Sequence, residues 1–140
     1  MARAFIIRPF GTKQDSSGKE VSFERVHREL IKPALEANDL AGDTTGEIVE
    51  AGNIREDIFQ LILEADLVVC DITVHNANVF YELGLAHALS KDVILITQSM
   101  NFVPFDLKTI RCIVYDFTPR GIEKFERALT ETIAALMKSA

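Results

Sequence analysis

Short apolar runs alternate along the chain with longer segments in which apolar residues recur every three or four positions. The runs are rich in β-branched residues and predict strands at 4–7, 67–72, 93–96 and 112–115. A further short edge strand is expected within 40–50, around Ile48 and Val49. The run at 67–72 is apolar on both faces, which is typical of a strand at the centre of a parallel sheet.

The longer segments have the period of amphipathic helices. The first begins after Ser22, a good N-cap residue, and Pro33 must kink it or lie in its last turns. Three more helices are predicted at 54–65, 79–89 and 119–136.

Strands and helices that alternate in this way predict βαβ units joined by right-handed crossovers. We therefore expect an α/β, flavodoxin-like (Rossmann-like) three-layer fold with a five-stranded parallel sheet of order 2-1-3-4-5. The 140 residues are enough for one such domain spanning 1–140, and no repeat or linker divides them.

Composition narrows the range of partners. The net charge of -6 and the pI near 5.0 argue against a nucleic-acid-binding face, which needs clustered positive charge. The longest apolar runs hold about six residues, far fewer than the roughly 20 of a membrane span. Too few residues precede the first strand for a signal peptide, so we expect a cytoplasmic protein without a membrane partner.

Cys70 and Cys112 form no CxxC pair and no histidine stands at zinc-ligand spacing, so no metal site is expected.

A sheet of this order binds ligands at the switch point between its first and third strands, outside their carboxyl ends. Two loops meet there, at 8–19 and 71–78. The first offers positive charge from Arg8 and Lys13, and Gly11 allows its backbone to approach a ligand closely. The second is dense in polar side chains, namely Asp71, Thr73, His75, Asn76 and Asn78.

Glu82 follows this second loop in the third predicted helix. With Asn78 as the N-cap, Glu82 lies about one turn into the helix, where the helix dipole favours an ionised carboxylate. An accessible carboxylate at the floor of a cleft can attack an electron-poor anomeric carbon. The alternative is that Glu82 only complements the helix dipole from the surface. Gly84, in the same helix, is expected to make room for tight packing.

Several segments resemble the nucleoside 2-deoxyribosyltransferase superfamily and its bacterial TIR-like relatives. They are ADLVVCDIT at 65–73, NANVFYELGLAHA at 76–88 and, for the first strand and ligand loop, FIIRPFG at 5–11. Together with 106–115 the likeness spans most of the chain, and YELG at 81–84 is its most specific part.

The resemblance implies a flavodoxin-like fold and a carboxylate nucleophile at Glu82 that acts on the bond between a sugar and a nitrogenous base. In TIR enzymes a glutamate in a similar helix, within a Cys-x-x-Glu-Leu pattern, is needed to cleave NAD at the nicotinamide bond. This chain has Glu82 and Leu83 without that cysteine. Related enzymes complete their sites with a neighbouring subunit, so the resemblance also implies a homo-oligomer.

The chain departs from the transferases at one position. They carry a second acid about six residues before the nucleophile, where this sequence has Asn76. Protonation of the base must then come from elsewhere, and Asp71 is the nearest acid. Asp71 has an alternative role, in which it caps the loop by accepting hydrogen bonds from backbone amides. A leaving group that needs no proton, such as nicotinamide leaving NAD, would also remove the difficulty.

Three functions are consistent with these observations. The first is a nucleoside or nucleotide N-glycosidase or (deoxy)ribosyltransferase, with Glu82 as nucleophile and Asp71 as a second catalytic group. The second is a TIR-type NAD glycohydrolase in defence signalling, and the third is a catalytically silent nucleotide-sensing or interaction module. No cofactor is expected, since NAD would be a substrate. The residues expected to contact substrate are Arg8, Phe10, Gly11, Lys13, Thr73, Asn76, Asn78 and Phe105.

Overall fold

Five parallel strands form the central sheet of the protein. The structure is a computed structural model that describes residues 2–44, 54–104, 107 and 111–138. In chain order its elements are β1 (Ala2–Ile7), β2 (Thr12–Gln14), β3 (Glu20–Ser22), α1 (Phe23–Val26), a π-helical segment (His27–Ile31), α2 (Lys32–Ala37), β4 (Leu40–Thr44), α3 (Ile54–Glu64), β5 (Leu67–Asp71), α4 (Ala77–Ala88), β6 (Val93–Thr97), a 3-10 helix (Met100–Phe102), β7 (Cys112–Val114) and α5 (Pro119–Lys138).

The strand order in the sheet is β4-β1-β5-β6-β7. Counting only the strands of this sheet, the order is 2-1-3-4-5, so the predicted flavodoxin-like α/β fold is confirmed. The edge strand lies inside the predicted window, at Leu40–Thr44. Ile48 and Val49, on which that strand was expected to centre, lie outside the described residues.

Alternate residues of each central strand belong to two apolar cores, one on each face of the sheet. Ala4, Ile6, Leu67 and Val69 lie in the core that contains side chains from α1, the π-helical segment, α2 and α5. Phe5, Ile7, Val68 and Cys70 lie in the core that contains side chains from α3 and α4. Since both faces are covered by helices, the central strands are apolar on both sides, as parallel sheets require. Within the described residues, no helix combines the length and the apolar character needed to cross a membrane.

The first helix changes its winding before Pro33. Ser22 caps it as predicted, because its side chain accepts a hydrogen bond from the Arg25 N–H. The π-helical turn runs over His27–Ile31, and α2 continues through Pro33 to Ala37. Proline has no N–H, and its ring clashes with the carbonyl four residues earlier in a regular α-helix. The wider π turn lies where that clash would fall.

The loop after β1 contains a small antiparallel hairpin that the sequence did not predict. β2 pairs with β3, with Thr12 opposite Ser22. The turn between them is held by Asp15, whose Oδ1 accepts hydrogen bonds from the backbone and hydroxyl of Ser17 and from the Lys19 N–H, at 2.8, 2.6 and 3.0 Å.

An Asp-x-Thr turn starts α5. Asp116 Oδ1 accepts hydrogen bonds from the backbone N–H and hydroxyl of Thr118, and the Thr118 hydroxyl accepts one from the Gly121 N–H at 3.0 Å. A Cβ atom added at Gly121 would lie 1.8 Å from Asp116 Oδ1. The turn therefore requires glycine inside the first helical turn.

We predict that Gly121→Ala and Asp116→Ala are energetically coupled. Alanine normally stabilises a helix relative to glycine by about 1 kcal/mol, but here it must expel the Asp116 carboxylate from its two hydrogen bonds. Gly121→Ala should therefore be more favourable in the Asp116→Ala background than in the wild type, by about 1–2 kcal/mol. Chemical denaturation of the four proteins measures this difference. Equal effects of Gly121→Ala in the two backgrounds would contradict the proposed turn.

Candidate active site

The ends of β1 and β5 bring the two predicted loops together. β1 and β5 are neighbours, with Ile7 opposite Cys70. Arg8 and Asp71 therefore lie side by side at the carboxyl edge of the sheet, which is the switch point that the strand order defines.

Asp71 is completely buried and both of its oxygens accept hydrogen bonds from the protein. Oδ1 accepts from the backbone N–H and the hydroxyl of Thr73, at 2.9 and 2.6 Å. Oδ2 accepts from the Tyr115 hydroxyl at 2.6 Å. Burial raises the pKa of Asp71 to about 6, while hydrogen bonds from Thr73 and Tyr115 and the charge of Arg8 act in the opposite direction. These contacts correspond to the capping role that the sequence left as an alternative, whereas contact with a substrate remains a prediction.

Tyr115 is a site residue that the sequence analysis missed. It lies one residue after β7, is 1% exposed, and packs edge to face against Phe125. Burial, followed by the charge of Asp71, raises the pKa of its phenol, so Tyr115 acts as a hydrogen-bond donor. A tyrosine that ends an apolar strand gives only a weak sequence signal, because its partner Asp71 is 44 residues away.

Further hydrogen bonds tie the neighbouring loops to this group. The Thr73 hydroxyl accepts a hydrogen bond from the Gln98 N–H at 3.1 Å, and Gln98 Oε1 accepts one from Lys19 Nζ at 3.3 Å. On the other side, His75 Nε2 lies 2.6 Å from the Phe102 carbonyl oxygen. Loops that follow β5 and β6 and the β2–β3 hairpin are thus held at one edge.

The N-cap of α4 is Asn76, and the prediction of Asn78 was wrong. Asn76 has an extended backbone, and its side chain accepts hydrogen bonds from the N–H groups of Asn78 and Val79, at 2.9 and 3.2 Å. Asn78 is already the second helical residue, so its own N–H is one of the groups being capped. The side-chain oxygen of Asn76 is therefore committed to the helix, and its NH₂ group is the part left for a substrate.

Glu82 lies in the buried stripe of α4, together with Val79, Leu83 and Ala86. It is 4% exposed, so the expectation of an accessible carboxylate was wrong, as was the alternative of a surface residue. The reason is its spacing. Glu82 stands three residues after Val79 and four before Ala86, which places it on the helix face that packs against the sheet.

The two acids reach the end of β5 from opposite sides of the sheet. Asp71 directly follows Cys70 in β5, and Val79 and Leu83, which flank Glu82 on α4, lie in the same apolar core as Cys70. Burial raises the pKa of the Cys70 thiol, and the negative charges of Asp71 and Glu82 raise it further. Asp71 follows Cys70 and bonds Tyr115, which belongs to the core beneath α5. Glu82 comes from α4, whose side chains fill the other core.

The remaining predicted residues differ in their surroundings. Arg8 is 7% exposed and its guanidinium group is paired with Glu24. Phe10 is 41% exposed, and Lys13 and Asn78 are exposed as well. Thr73 is buried and bonds Asp71, as described above. Phe105 lies outside the described residues. Among the residues that the structure describes, no three histidine, cysteine or acidic side chains group closely enough to hold a metal ion.

Gly84 does not make room for tight packing, and that expectation was wrong. It lies on the exposed side of α4, and a Cβ atom built on it would meet no atom within 4 Å. The buried stripe that carries Glu82 faces the sheet, whereas Gly84 faces away from it.

The fold defined by these strands and loops occurs in two solved enzyme structures over nearly the whole chain. One is a 2-deoxyribosyltransferase from the psychrotolerant bacterium Bacillus psychrosaccharolyticus, with a TM-score of 0.65, 14% identity and 96% of each chain covered. The other is the CMP N-glycosidase BcmB of Clostridium botulinum, with a TM-score of 0.58, 17% identity, and 95% of this chain and 98% of that chain covered. At these identities the likeness establishes the fold alone. Neither the protein-family models nor the curated proteins compared with this sequence gave a match.

We predict that Gly84→Ala raises the free energy of unfolding by about 1 kcal/mol, because alanine is the better helix former and nothing blocks its methyl group. Thermal unfolding at fixed pH measures the change. A loss of stability would show that Gly84 has a packing role after all.

The buried Asp71 carboxyl makes stability depend on pH. Its pKa is raised from 3.8 to about 6, so its contribution is fully present below pH 3.8 and is lost as the pH rises through 6. The loss amounts to about 3 kcal/mol, since each pKa unit corresponds to about 1.4 kcal/mol. Asparagine does not titrate. The free energy of unfolding of Asp71→Asn, relative to wild type, should therefore rise by about that amount between pH 4 and pH 7. Parallel stability curves for the two proteins would contradict this prediction.

Proposed function

We propose that this protein is an enzyme that cleaves the N-glycosidic bond of a nucleoside or nucleotide, or transfers its sugar, with Glu82 as the nucleophile. The observation that carries the proposal is the position of Glu82 within an apolar stripe, 4% exposed, beside the carboxyl end of β5. Carboxylates are rarely buried, because removing one from water costs several kcal/mol. Functional sites are where such costs are usually found.

The reaction uses the properties of such a group. A Glu82 oxygen attacks the anomeric carbon of the sugar, and the base leaves with the electron pair of the broken C–N bond. The result is an ester between the sugar and Glu82. Water then attacks the same carbon to complete hydrolysis, or the nitrogen of a second base attacks it to complete transfer. Each route displaces the carboxylate and frees it for another cycle.

Two lines of comparison support this chemistry. The sequence resembles deoxyribosyltransferases in the YELG segment, where Glu82 stands. Two solved structures that share the fold are named as a 2-deoxyribosyltransferase and a CMP N-glycosidase.

We assign Asp71 one of two roles, either to protonate the leaving base or to bind the hydroxyl groups of the sugar. Its pKa of about 6, raised by burial, leaves part of the population protonated near neutral pH, which is the state that a general acid needs. The hydrogen bonds from Thr73 and Tyr115 fix the orientation of the carboxyl group. Tyr115 is thus a positioning residue.

NAD is a second candidate substrate, and Asn76 favours it. This residue stands where related transferases have an acid, and its oxygen is occupied by two backbone N–H groups. Nicotinamide leaves NAD without needing a proton, so the missing acid would not hinder the reaction. A homo-oligomer and a cytoplasmic location remain predictions.

The proposal is tested by incubating the protein with deoxynucleosides, nucleoside monophosphates and NAD, and measuring the released base by chromatography. Glu82→Gln keeps the volume of the side chain and removes the nucleophile, so base release should fall by about 1,000-fold or more. Glu126→Gln, an exposed position on α5, makes the same change of charge and should retain full activity. Retained turnover in Glu82→Gln would remove Glu82 from the mechanism. Absence of base release from every compound, in a folded wild-type protein, would favour the interaction module.

A further inference from the structure

The buried guanidinium group of Arg8 is bound by a carboxylate of the same chain. Nη1 and Nη2 of Arg8 donate to Oε1 and Oε2 of Glu24, at 3.1 and 3.3 Å, and Nη1 also donates to the Pro9 carbonyl. The Arg8 side chain is 6% exposed, whereas that of Glu24 is 59% exposed. The arginine is thus a fixed part of the protein, and the glutamate reaches it from the solvent side.

The backbone of Gly11 is fixed next to the helix that carries this carboxylate. The Gly11 carbonyl accepts a hydrogen bond from the Phe23 N–H at 3.0 Å, which fixes the Gly11 backbone beside the first turn of α1. The hydrogen bond from Arg8 and the positive charge of Arg8 lower the pKa of Glu24, while burial acts in the opposite direction. Gly11 has a φ of 60°, a left-handed conformation that suits glycine.

A guanidinium fork is a general binding group for anions. The fork matches both carboxylate and phosphate, which accept two parallel hydrogen bonds. Moreover, Arg8 Nε is buried and has no hydrogen-bond partner among the described residues, so the group has donor capacity beyond what Glu24 uses. Arg8 follows β1 and Asp71 ends the neighbouring strand β5. The positive charge of Arg8 lowers the pKa of Asp71, although burial and hydrogen bonds have larger effects. The anion site therefore adjoins the candidate active site.

We propose that Arg8 binds the phosphate group of a nucleotide, and that Glu24 occupies this site until the nucleotide displaces it. Glu24 is then a specificity residue. A phosphorylated ligand can replace the Glu24 carboxylate, whereas a nucleoside has no anion to do so. The inference rests on the proposed function for the identity of the ligand as a nucleotide.

The displaced carboxylate has other positive groups within reach. Glu24 borders a cleft of about 500 Å³ that is also lined by two cations, Arg28 and Lys32, and by the acid Glu36. His27 lies in the same lining, but burial lowers its pKa, so it is not counted among the cations. Leaving Arg8 therefore does not leave Glu24 without favourable charges nearby. The exchange replaces one anion on Arg8 by another, so the buried arginine is never without a partner.

The test uses inorganic phosphate, CMP and cytidine as probes, titrated into the wild type, Glu24→Gln and Glu29→Gln by calorimetry. Glu29 is the matched control, because it is an acid of the same helix that pairs on the surface with Arg25. Glu24→Gln should bind phosphate and CMP about tenfold more tightly than wild type, since no internal carboxylate competes. Glu29→Gln should bind both as wild type does, and cytidine affinity should be equal in the three proteins.

Two results would overturn the inference. One is equal phosphate affinity in Glu24→Gln and the wild type, and the other is an equal gain in Glu29→Gln, which would indicate a general effect of net charge. If Glu24→Gln does not fold, Glu24→Asp keeps the charge on a shorter side chain, and its phosphate affinity must still exceed that of the wild type. Phosphate is not cleaved, so its binding is independent of base release. If the protein releases base but Glu24→Gln gains no phosphate affinity, the inference fails and the proposed function stands. If Glu24→Gln gains phosphate affinity but no base is released, the proposed function fails and the phosphate site stands.

Discussion

The hydrogen bonds of the Asp71 carboxylate connect the elements on which the candidate site depends. Asp71 ends the central strand β5, and Tyr115, its partner, follows the edge strand β7. Thr73, which donates to Asp71, also accepts a hydrogen bond from the backbone N–H of Gln98, the residue after β6. Three consecutive strands of the sheet are thereby fixed to one another where they end. Because the group is buried, each of these hydrogen bonds is costly to lose, which restricts the loops to one arrangement.

The central strands were predictable because their burial on both faces is visible in the sequence. The run around Val68 and Cys70 has no polar residue before Asp71, so its central place follows from composition. Helix starts were harder. Asn76 and Asn78 are both good caps two residues apart, and only the backbone conformation shows which one is used. Glu82 could have been recognised as buried from its spacing with Val79 and Ala86, but an acid was expected at the surface. Tyr115 could not be found, because long-range pairing leaves no local pattern.

Charge is distributed unevenly between the two sides of the site. On one side, the Arg8 guanidinium is satisfied by Glu24, which solvent also reaches. On the other side, Glu82 lies in the buried stripe of α4, and Asp71 accepts hydrogen bonds from Thr73 and Tyr115 at the end of β5. The environments of the two acids differ although both are buried, and such differences are what assign distinct roles to acids in one site.

The place of β1 in the sheet affects how the chain can be assembled. This strand precedes the others of the sheet along the chain, yet both of its edges are covered by later strands, β4 on one side and β5 on the other. Its residues Ala4–Ile7 are at most 1% exposed in the finished protein. During synthesis, one edge of this apolar segment stays unpaired until residues 67–70 have left the ribosome. Pairing over such a distance is slow to form, and exposed apolar strands promote aggregation.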